Sequence, residues 1–227
     1  MIGHRGASGD FPENTCLAFD RALAAGAHAL ELDVHLTVDG VPVVIHDESV
    51  DRTTDGTGLV RVATAVGLEE LDAGQGERIP RLEQVLDRYP ATPLLIEVKV
   101  PWASNAVVAT LRRHSAERRV VVGSFARGAL APFRRAGIPT TPSRAGVAWA
   151  LIVSRLGLRA GRPHGAFAVP EYHGRVRVVD RRLVASARRA GLPVHVWTVN
   201  QPDQARRLRM LGVCGIITDY PNRMRAL

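Results

Sequence analysis

Eight short runs rich in β-branched and aliphatic residues recur along the chain, and helix-like stretches separate most of them. The runs are "MIGH" (1–4), "ALELDVHL" (29–36), "LLIEVK" (94–99), "VVVGSF" (120–125), "IPTT" (138–141), "AFAVP" (166–170), "PVHVWTV" (193–199) and "GIITD" (215–219). Strand–helix alternation kept up throughout predicts an α/β fold with a parallel sheet covered by helices. Eight such strands in 227 residues predict a closed β/α barrel, with an open doubly wound sheet as the rival. Helices are expected near 14–26, 81–89, 103–117, 127–136, 180–190 and 202–211, with Asn14 as an N-cap and Gly26, Gly137, Gly191 and Gly212 as stops. No low-complexity linker divides the chain, so one domain is expected over residues 1–227.

The second run carries an addition. In "LTVDGVPVVIHD", Asp39–Gly40 stands between two alternating segments, which signals a β-hairpin. A two-residue loop would pair Val38 with Val41 and fold His46 back opposite Asp33.

Composition excludes several classes. Hydrophobic residues make up 46% and charged residues 23%, enough for an ordinary globular core. Two cysteines, Cys16 and Cys214, give no disulfide framework. The longest apolar window, "AGVAWALIV" (145–153), is too short to span a bilayer, and no basic region followed by an apolar run opens the sequence. A cytoplasmic protein is expected. The net charge of +8 comes from arginines spread in pairs such as Arg112–Arg113 and Arg206–Arg207. Such pairs fall on helices and read as solvated faces, and aromatics at 5% are too few to stack nucleic-acid bases. Anionic small molecules, with weak contact to anionic membrane surfaces, suit the charge better. Of the 30 basic residues, 29 are arginine and only Lys99 is lysine. A chain so biased keeps a compact ammonium where a planar guanidinium would not serve.

Barrel chemistry gathers at the carboxyl ends of strands. Those ends carry His4 on the first run, Glu31 and Asp33 on the second, Glu97 and Lys99 on the third and Trp197 on the seventh, and the hairpin returns His46. Two-residue spacing puts Glu31 with Asp33, and Glu97 with Lys99, on common strand faces. Three carboxylates in one barrel mouth repel unless neutralised, and a hard divalent cation, Mg²⁺ or Ca²⁺, is the economical solution. Pairing with arginines on exposed strand ends, or a structural Glu97–Lys99 pair, is the plainer alternative. Two histidines beside a cation suit phosphoryl chemistry: one imidazole deprotonates a nucleophile while the other protonates the leaving oxygen. Lys99 and Arg5 would then face the charge on phosphate. His28, His114, His164 and His173 are expected to be solvated or satisfied, and His35 exposed unless it pairs across the hairpin. His195 shares a strand face with Trp197, so it is a candidate for the pocket wall.

Four segments, "HRGASGDFPENT", "ELDVHLTVDGVPVVIHDESVDRTTDGTG", "IEVK" and "VHVWTVNQP…GVCGIITDYP", together resemble the glycerophosphodiester phosphodiesterase family, in order and nearly end to end. The resemblance implies a TIM barrel related to the phosphatidylinositol-specific phospholipases C. It implies metal-dependent hydrolysis of glycerophosphodiesters to glycerol 3-phosphate and an alcohol. By the family's pattern His4 and His46 are the acid–base pair, and Glu31, Asp33 and Glu97 are the metal ligands. Arg5 and Lys99 hold phosphate, and Trp197 is the aromatic of the pocket wall. The segment 71–86 looks shorter than the family's loop at that place, which implies a more open mouth. Two alternatives remain at this stage: a lysophospholipase D acting on acylated lysophospholipids, and a catalytically idle barrel that binds phosphodiesters.

Overall fold

The structure, a computed structural model, describes residues 1–126, 128–159 and 165–225. Its strands are β1 (Ile2–His4), β2 (Ala29–Leu36), β3 (Pro42–Val44), β4 (Leu94–Val98), β5 (Val120–Gly123), β6 (Phe167–Pro170), β7 (Tyr172–His173), β8 (Val176–Arg177), β9 (Val194–Trp197) and β10 (Gly215–Thr218). Its α-helices are α1 (Cys16–Ala24), α2 (Ala65–Glu69), α3 (Leu82–Arg88), α4 (Ser104–Arg113), α5 (Ala131–Arg135), α6 (Arg144–Arg155), α7 (Arg181–Arg189) and α8 (Pro202–Met210).

Parallel pairing runs in the order β5, β4, β2, β1, β10, β9, β6. Between β5 and β6 the segment around Thr140 completes the ring. It makes one parallel bridge to Val122, and Gly165 N–H donates to the Thr140 carbonyl at 2.7 Å. Every run expected to be a strand takes its place in this nearly closed barrel, the fifth reduced to that single bridge.

Period-two alternation decides what faces where. On β2, Leu30, Leu32 and Val34 are fully buried against the surrounding helices, in one core with Phe19 of α1 and Val85 of α3. Full burial of each such aliphatic side chain stabilises the fold by about 1.5–3 kcal/mol. The alternate residues point inward. Ile2, Leu95 and Ile217 fill the lower interior. Glu31, Asp33 and Glu97 follow on the same strand faces, toward the carboxyl ends.

Three local expectations are corrected. Asn14 is not the cap of α1: Thr15 takes that place and accepts from Ala18 N–H at 3.2 Å, which frees Asn14 for another partner. The hairpin of β2 and β3 is shifted by one residue. Thr37 pairs with Val41, Val34 with Val44, and Ile45 rather than His46 reaches Asp33, its N–H donating to the Asp33 carbonyl at 3.0 Å. The turn therefore has three residues, closed by Gly40 at φ 77°, a left-handed conformation that glycine adopts without steric cost. The third correction is α6, Arg144–Arg155, a helix not expected from sequence, which takes in the apolar window 145–153 and is capped by Ser143, whose side chain accepts from Gly146 N–H. The helix expected at 127–136 spans only Ala131–Arg135; residue 127 and His164 lie outside the described residues.

Candidate active site

His4 ends β1, and the register places it beside the first residue after β10, since Gly3 pairs with Thr218. His4 Nδ1 lies 2.6 Å from Asp219 Oδ1. Asp219 is itself fixed: Asn200 Nδ2 donates to Oδ2 at 2.6 Å and Ser8 Oγ to Oδ1 at 3.1 Å. Burial pushes the His4 imidazole down, but the Asp219 hydrogen bond and the Glu31 charge outweigh it, and its pKa stands above the ordinary histidine value.

The next residue turns the chain sharply. Arg5 has φ 52°, a left-handed conformation unusual for a side-chain-bearing residue. This turn aims its N–H at Glu31 Oε2, 3.0 Å away, and brings its guanidinium within 3.1 Å of Asp33 and 3.0 Å of Glu13. Gly6 follows at φ 87°, where a Cβ would lie 2.5 Å from the Ala18 backbone of α1. Only glycine lets the loop pass this close to the helix.

Glu31, Asp33 and Glu97 each offer an oxygen within 4.8 Å of one another. Glu31 and Asp33 are buried, 5% and 1% exposed, so they do not stand at exposed strand ends. Asp33 does pair with Arg5, and Glu97 with Lys99, as the plainer alternative has it. Lys99 Nζ stands 2.8 Å from Asp33 and 2.9 Å from Glu97, and Asn14 Nδ2 donates to Asp33 at 3.0 Å. Burial raises Asp33, but the Lys99 and Arg5 charges overcome it and hold the carboxyl below its usual range. Glu31 pairs with no lysine or arginine side chain among the described residues, and His4 Nε2 lies 3.8 Å from its Oε2. Burial, then the Asp33 charge, outweigh the His4 contribution and push it up to about 8. The all-oxygen donor set of the three carboxylates fits a hard divalent ion.

His46 follows β3 and sits opposite this cluster. Its Nδ1 lies 2.6 Å from Asp47 Oδ1, and Arg52 Nε donates to Asp47 Oδ2 at 2.6 Å. Arg52 also grips Glu13 with both terminal nitrogens, at 2.9 and 2.8 Å. Since Glu13 pairs with Arg5, a continuous run of charges ties the His46 loop to the loop after β1. Arg52 first, then His46, draw the Asp47 carboxyl far below its usual range, after burial is overcome.

A cavity of about 700 Å³ opens over these groups, and His4, Arg5, Glu31, His46, Glu97, Lys99 and Trp197 all line it. Asp33 is not among the lining residues but shares Glu31's strand face and pairs with Arg5 and Lys99, which are. All eight residues expected at the site therefore come together. Trp197 meets Phe125 edge-on, ring centroids 5.9 Å apart. His195 does not reach the cavity. It lies lower in the barrel, where Gly215 leaves room for its ring and its Nδ1 is buried without a partner. His35 is buried, with Nε2 3.1 Å from the His46 carbonyl, and His173 lines the cavity mouth. Arg207, expected on a solvated face, instead holds buried Glu171 at 2.7 Å. No residue of the segment 71–86 lines the cavity.

Asp219, Asn200, Asp47, Arg52 and Glu13 were not singled out from sequence. Asp219 alone had a readable signal, a carboxylate at the end of the strand that must close against β1.

A parallel barrel with two carboxylate-backed imidazoles flanking three clustered acidic side chains and a lysine defines a barrel hydrolase built for an anionic substrate. Residues 4–223 match the glycerophosphoryl diester phosphodiesterase family. The protein YhdW of Bacillus subtilis is 41% identical over 239 residues, covering 98% of this chain and 95% of the relative. The glycerophosphodiester phosphodiesterase of Caldanaerobacter subterraneus subsp. tengcongensis is 33% identical over 249 residues, covering 99% and 95%. Among solved structures, an Oleispira antarctica phosphodiesterase in complex with the product sn-glycerol-3-phosphate superposes with a TM-score of 0.82. It shares 28% identity, with 99% of this chain and 94% of that one covered. The chain belongs to the glycerophosphoryl diester phosphodiesterase family and is a phosphoric diester hydrolase.

Proposed function

We propose that the chain hydrolyses glycerophosphodiesters to sn-glycerol 3-phosphate and an alcohol, with His4 and His46 exchanging protons with substrate. The observation that carries this reading is the matched pair of imidazoles. Each is held at Nδ1 by an aspartate 2.6 Å away, which leaves Nε2 for the reacting oxygens, and both line the same cavity. One withdraws a proton from the nucleophile and the other returns one to the leaving alcohol, a contribution of about 10²–10⁴ in rate.

Glu31, Asp33 and Glu97 would hold a divalent cation, Mg²⁺ or Ca²⁺. When bound, such an ion draws a phosphate oxygen's negative charge toward itself. Lys99, shared between Asp33 and Glu97 at 2.8 and 2.9 Å, would add an ammonium to face the phosphate. Arg5 fixes Glu31 through its backbone and Asp33 through its side chain, and presents its guanidinium at the cavity floor. Trp197 forms an aromatic wall. The chain works as one barrel domain over residues 1–227 on a small-molecule phosphodiester. The cytoplasm suits it: Cys16 and Cys214 are unpaired, and no helix among the described residues is long and apolar enough to cross a membrane.

The test is release of glycerol 3-phosphate from glycerophosphocholine and glycerophosphoethanolamine by the purified protein, with and without chelator, beside His46→Ala. Turnover that requires both metal and His46 is the expected result. No release under Mg²⁺, Ca²⁺ or Mn²⁺ would overturn the reading.

A further inference from the structure

Helix α6 is turned inside out. Its buried residues are Ala150, Val153 and Ser154, while Trp149, Ile152 and Leu156 are 61%, 52% and 69% exposed. Spacings of three and four residues put these three side chains on one face. A surface helix ordinarily buries its largest apolar side chains and leaves small or polar ones outside; α6 does the reverse. Val147 and Leu151, on another side of the helix, line the cavity, so the exposed face borders its mouth. Loops at the carboxyl ends of neighbouring strands add to this apolar rim. Trp102 after β4, Phe125 after β5 and Tyr172 after β6 are 60%, 51% and 50% exposed. Large apolar side chains brought to one sector from four separate segments mark an interaction surface, and their spread suits a broad partner.

Charge is divided just as unevenly. Residues 144–227 hold 15 arginines and 4 acidic residues, a net +11, and residues 1–143 hold 15 basic and 18 acidic residues, a net −3, which together give the chain's +8. Such asymmetry points to an anionic partner for one part of the chain. In the first part, arginines such as Arg52, Arg81 and Arg88 are held in ion pairs. Among the described residues Arg144 and Arg155, at the two ends of α6, make no ion pair. Nor do Arg159 and Arg189, which donate to the carbonyls of Arg189 and Gly157 where α6 meets α7. Arg144 stands over the Phe125 ring, 5.2 Å from its centroid. Exposed tryptophan, isoleucine and leucine flanked by uncompensated arginines make up a helix suited to the headgroup layer of an anionic membrane. We propose that α6 and the rim beside it dock on an anionic phospholipid bilayer. Trp149, Ile152 and Leu156 enter the headgroup layer, and the cavity opens next to it. A second copy of this chain suits the face poorly, because a two-fold contact sets the same unpaired arginines against each other. The inference does not depend on the hydrolysis proposed above.

The experiment is co-sedimentation of the full chain with vesicles of phosphatidylcholine alone, and of phosphatidylcholine mixed equally with phosphatidylglycerol, at low and at physiological ionic strength. Binding to the phosphatidylglycerol vesicles that salt weakens, with little binding to phosphatidylcholine alone, is the expected result. Trp149→Ser combined with Ile152→Ser should weaken that binding at least about tenfold, since both side chains lose apolar burial. Arg155→Gln should weaken it about fivefold. Melting curves control for folding, and glycerophosphocholine turnover should be the same in every variant. Vesicle binding that the serine pair leaves unmoved, or equal binding to the two vesicle types, overturns the inference. No binding to either vesicle overturns it as well; if the serine pair then abolishes self-association or a duplex-DNA complex, the face belongs to that partner. A native chain that docks but releases no glycerol 3-phosphate would overturn the proposed function and leave this inference standing.

Discussion

Replacing Asp219 by asparagine should reverse the tautomer of His4. Asn200 cannot turn to accommodate the change, because its Oδ1 already accepts from the Asp219 N–H at 3.0 Å and from Thr218 Oγ1 at 3.1 Å. Its Nδ2 must therefore keep pointing at residue 219, where it now donates at 2.6 Å. An asparagine at 219 satisfies that donor only with its own oxygen, and its NH₂ then faces His4 Nδ1. A donor there requires Nδ1 to be unprotonated, which moves the ring proton to Nε2 and removes the lone pair that faces substrate. The loss should approach the whole acid–base contribution of one imidazole, about 10²–10⁴ in kcat, or roughly 3–5 kcal/mol of barrier, with KM little changed. The pH profile should also shift. In the native protein burial pushes His4 down, while the Asp219 hydrogen bond, then the Glu31 charge, raise it above its ordinary value. Without the aspartate the His4 limb should therefore move to lower pH. Glycerophosphocholine kinetics across the neutral range, with melting curves to confirm folding, make the measurement. A folded Asp219→Asn enzyme with native kcat would show that Asp219 does not set the tautomer.

Three further outcomes are expected. Lys99→Met should lower kcat/KM about 10²–10³-fold in steady-state assays, and Lys99→Arg should not restore it, because a planar fork cannot replace an ammonium set 2.8 and 2.9 Å from two carboxylates; full activity in the arginine variant would contradict this. Gly6→Ala combines a left-handed φ with a clash against α1, and should cost about 2–3 kcal/mol, read as a melting midpoint roughly 5–10 °C lower; an unchanged midpoint would contradict the packing. Glu171, whose carboxyl is lowered chiefly by the Arg207 hydrogen bond against the effect of burial, contributes stability that is present above the ordinary carboxylate range and disappears as pH falls through its native value. Glu171→Gln should accordingly flatten the acid side of a urea-midpoint profile, and an unaltered slope would rule this residue out as a contributor.

The strands were legible because inward and outward residues alternate so regularly, and because helix stops such as Gly137 and Gly212 take the left-handed conformations expected of them. The hairpin register was not. Asp39–Gly40 reads equally well as a two- or three-residue turn, and only the pairing of Thr37 with Val41 decides it. Helix α6 stayed hidden because its large apolar residues do not follow its buried face: Ala150, Val153 and Ser154 are buried, while Trp149 and Ile152 stay exposed. All eight candidate site residues were readable from strand ends and motifs. Their supports were not, since Asn14 meets Asp33 across 19 residues and Arg52 meets Glu13 across 39. Hydrogen bonds at such separations follow from barrel closure and leave no periodicity in the sequence.

The pair His4 and Asp219 stands 215 residues apart in the chain and 2.6 Å apart in space. Synthesis therefore separates the two partners by nearly the whole barrel. Until β10 slides in beside β1, the first imidazole has no aspartate and the ring no seal. A chain that stops after β9 thus carries all eight candidate residues without the aspartate that holds the first imidazole. The pairing of β10 with β1 therefore does two things at once, joining the two ends of the strand order and seating the His4 ring.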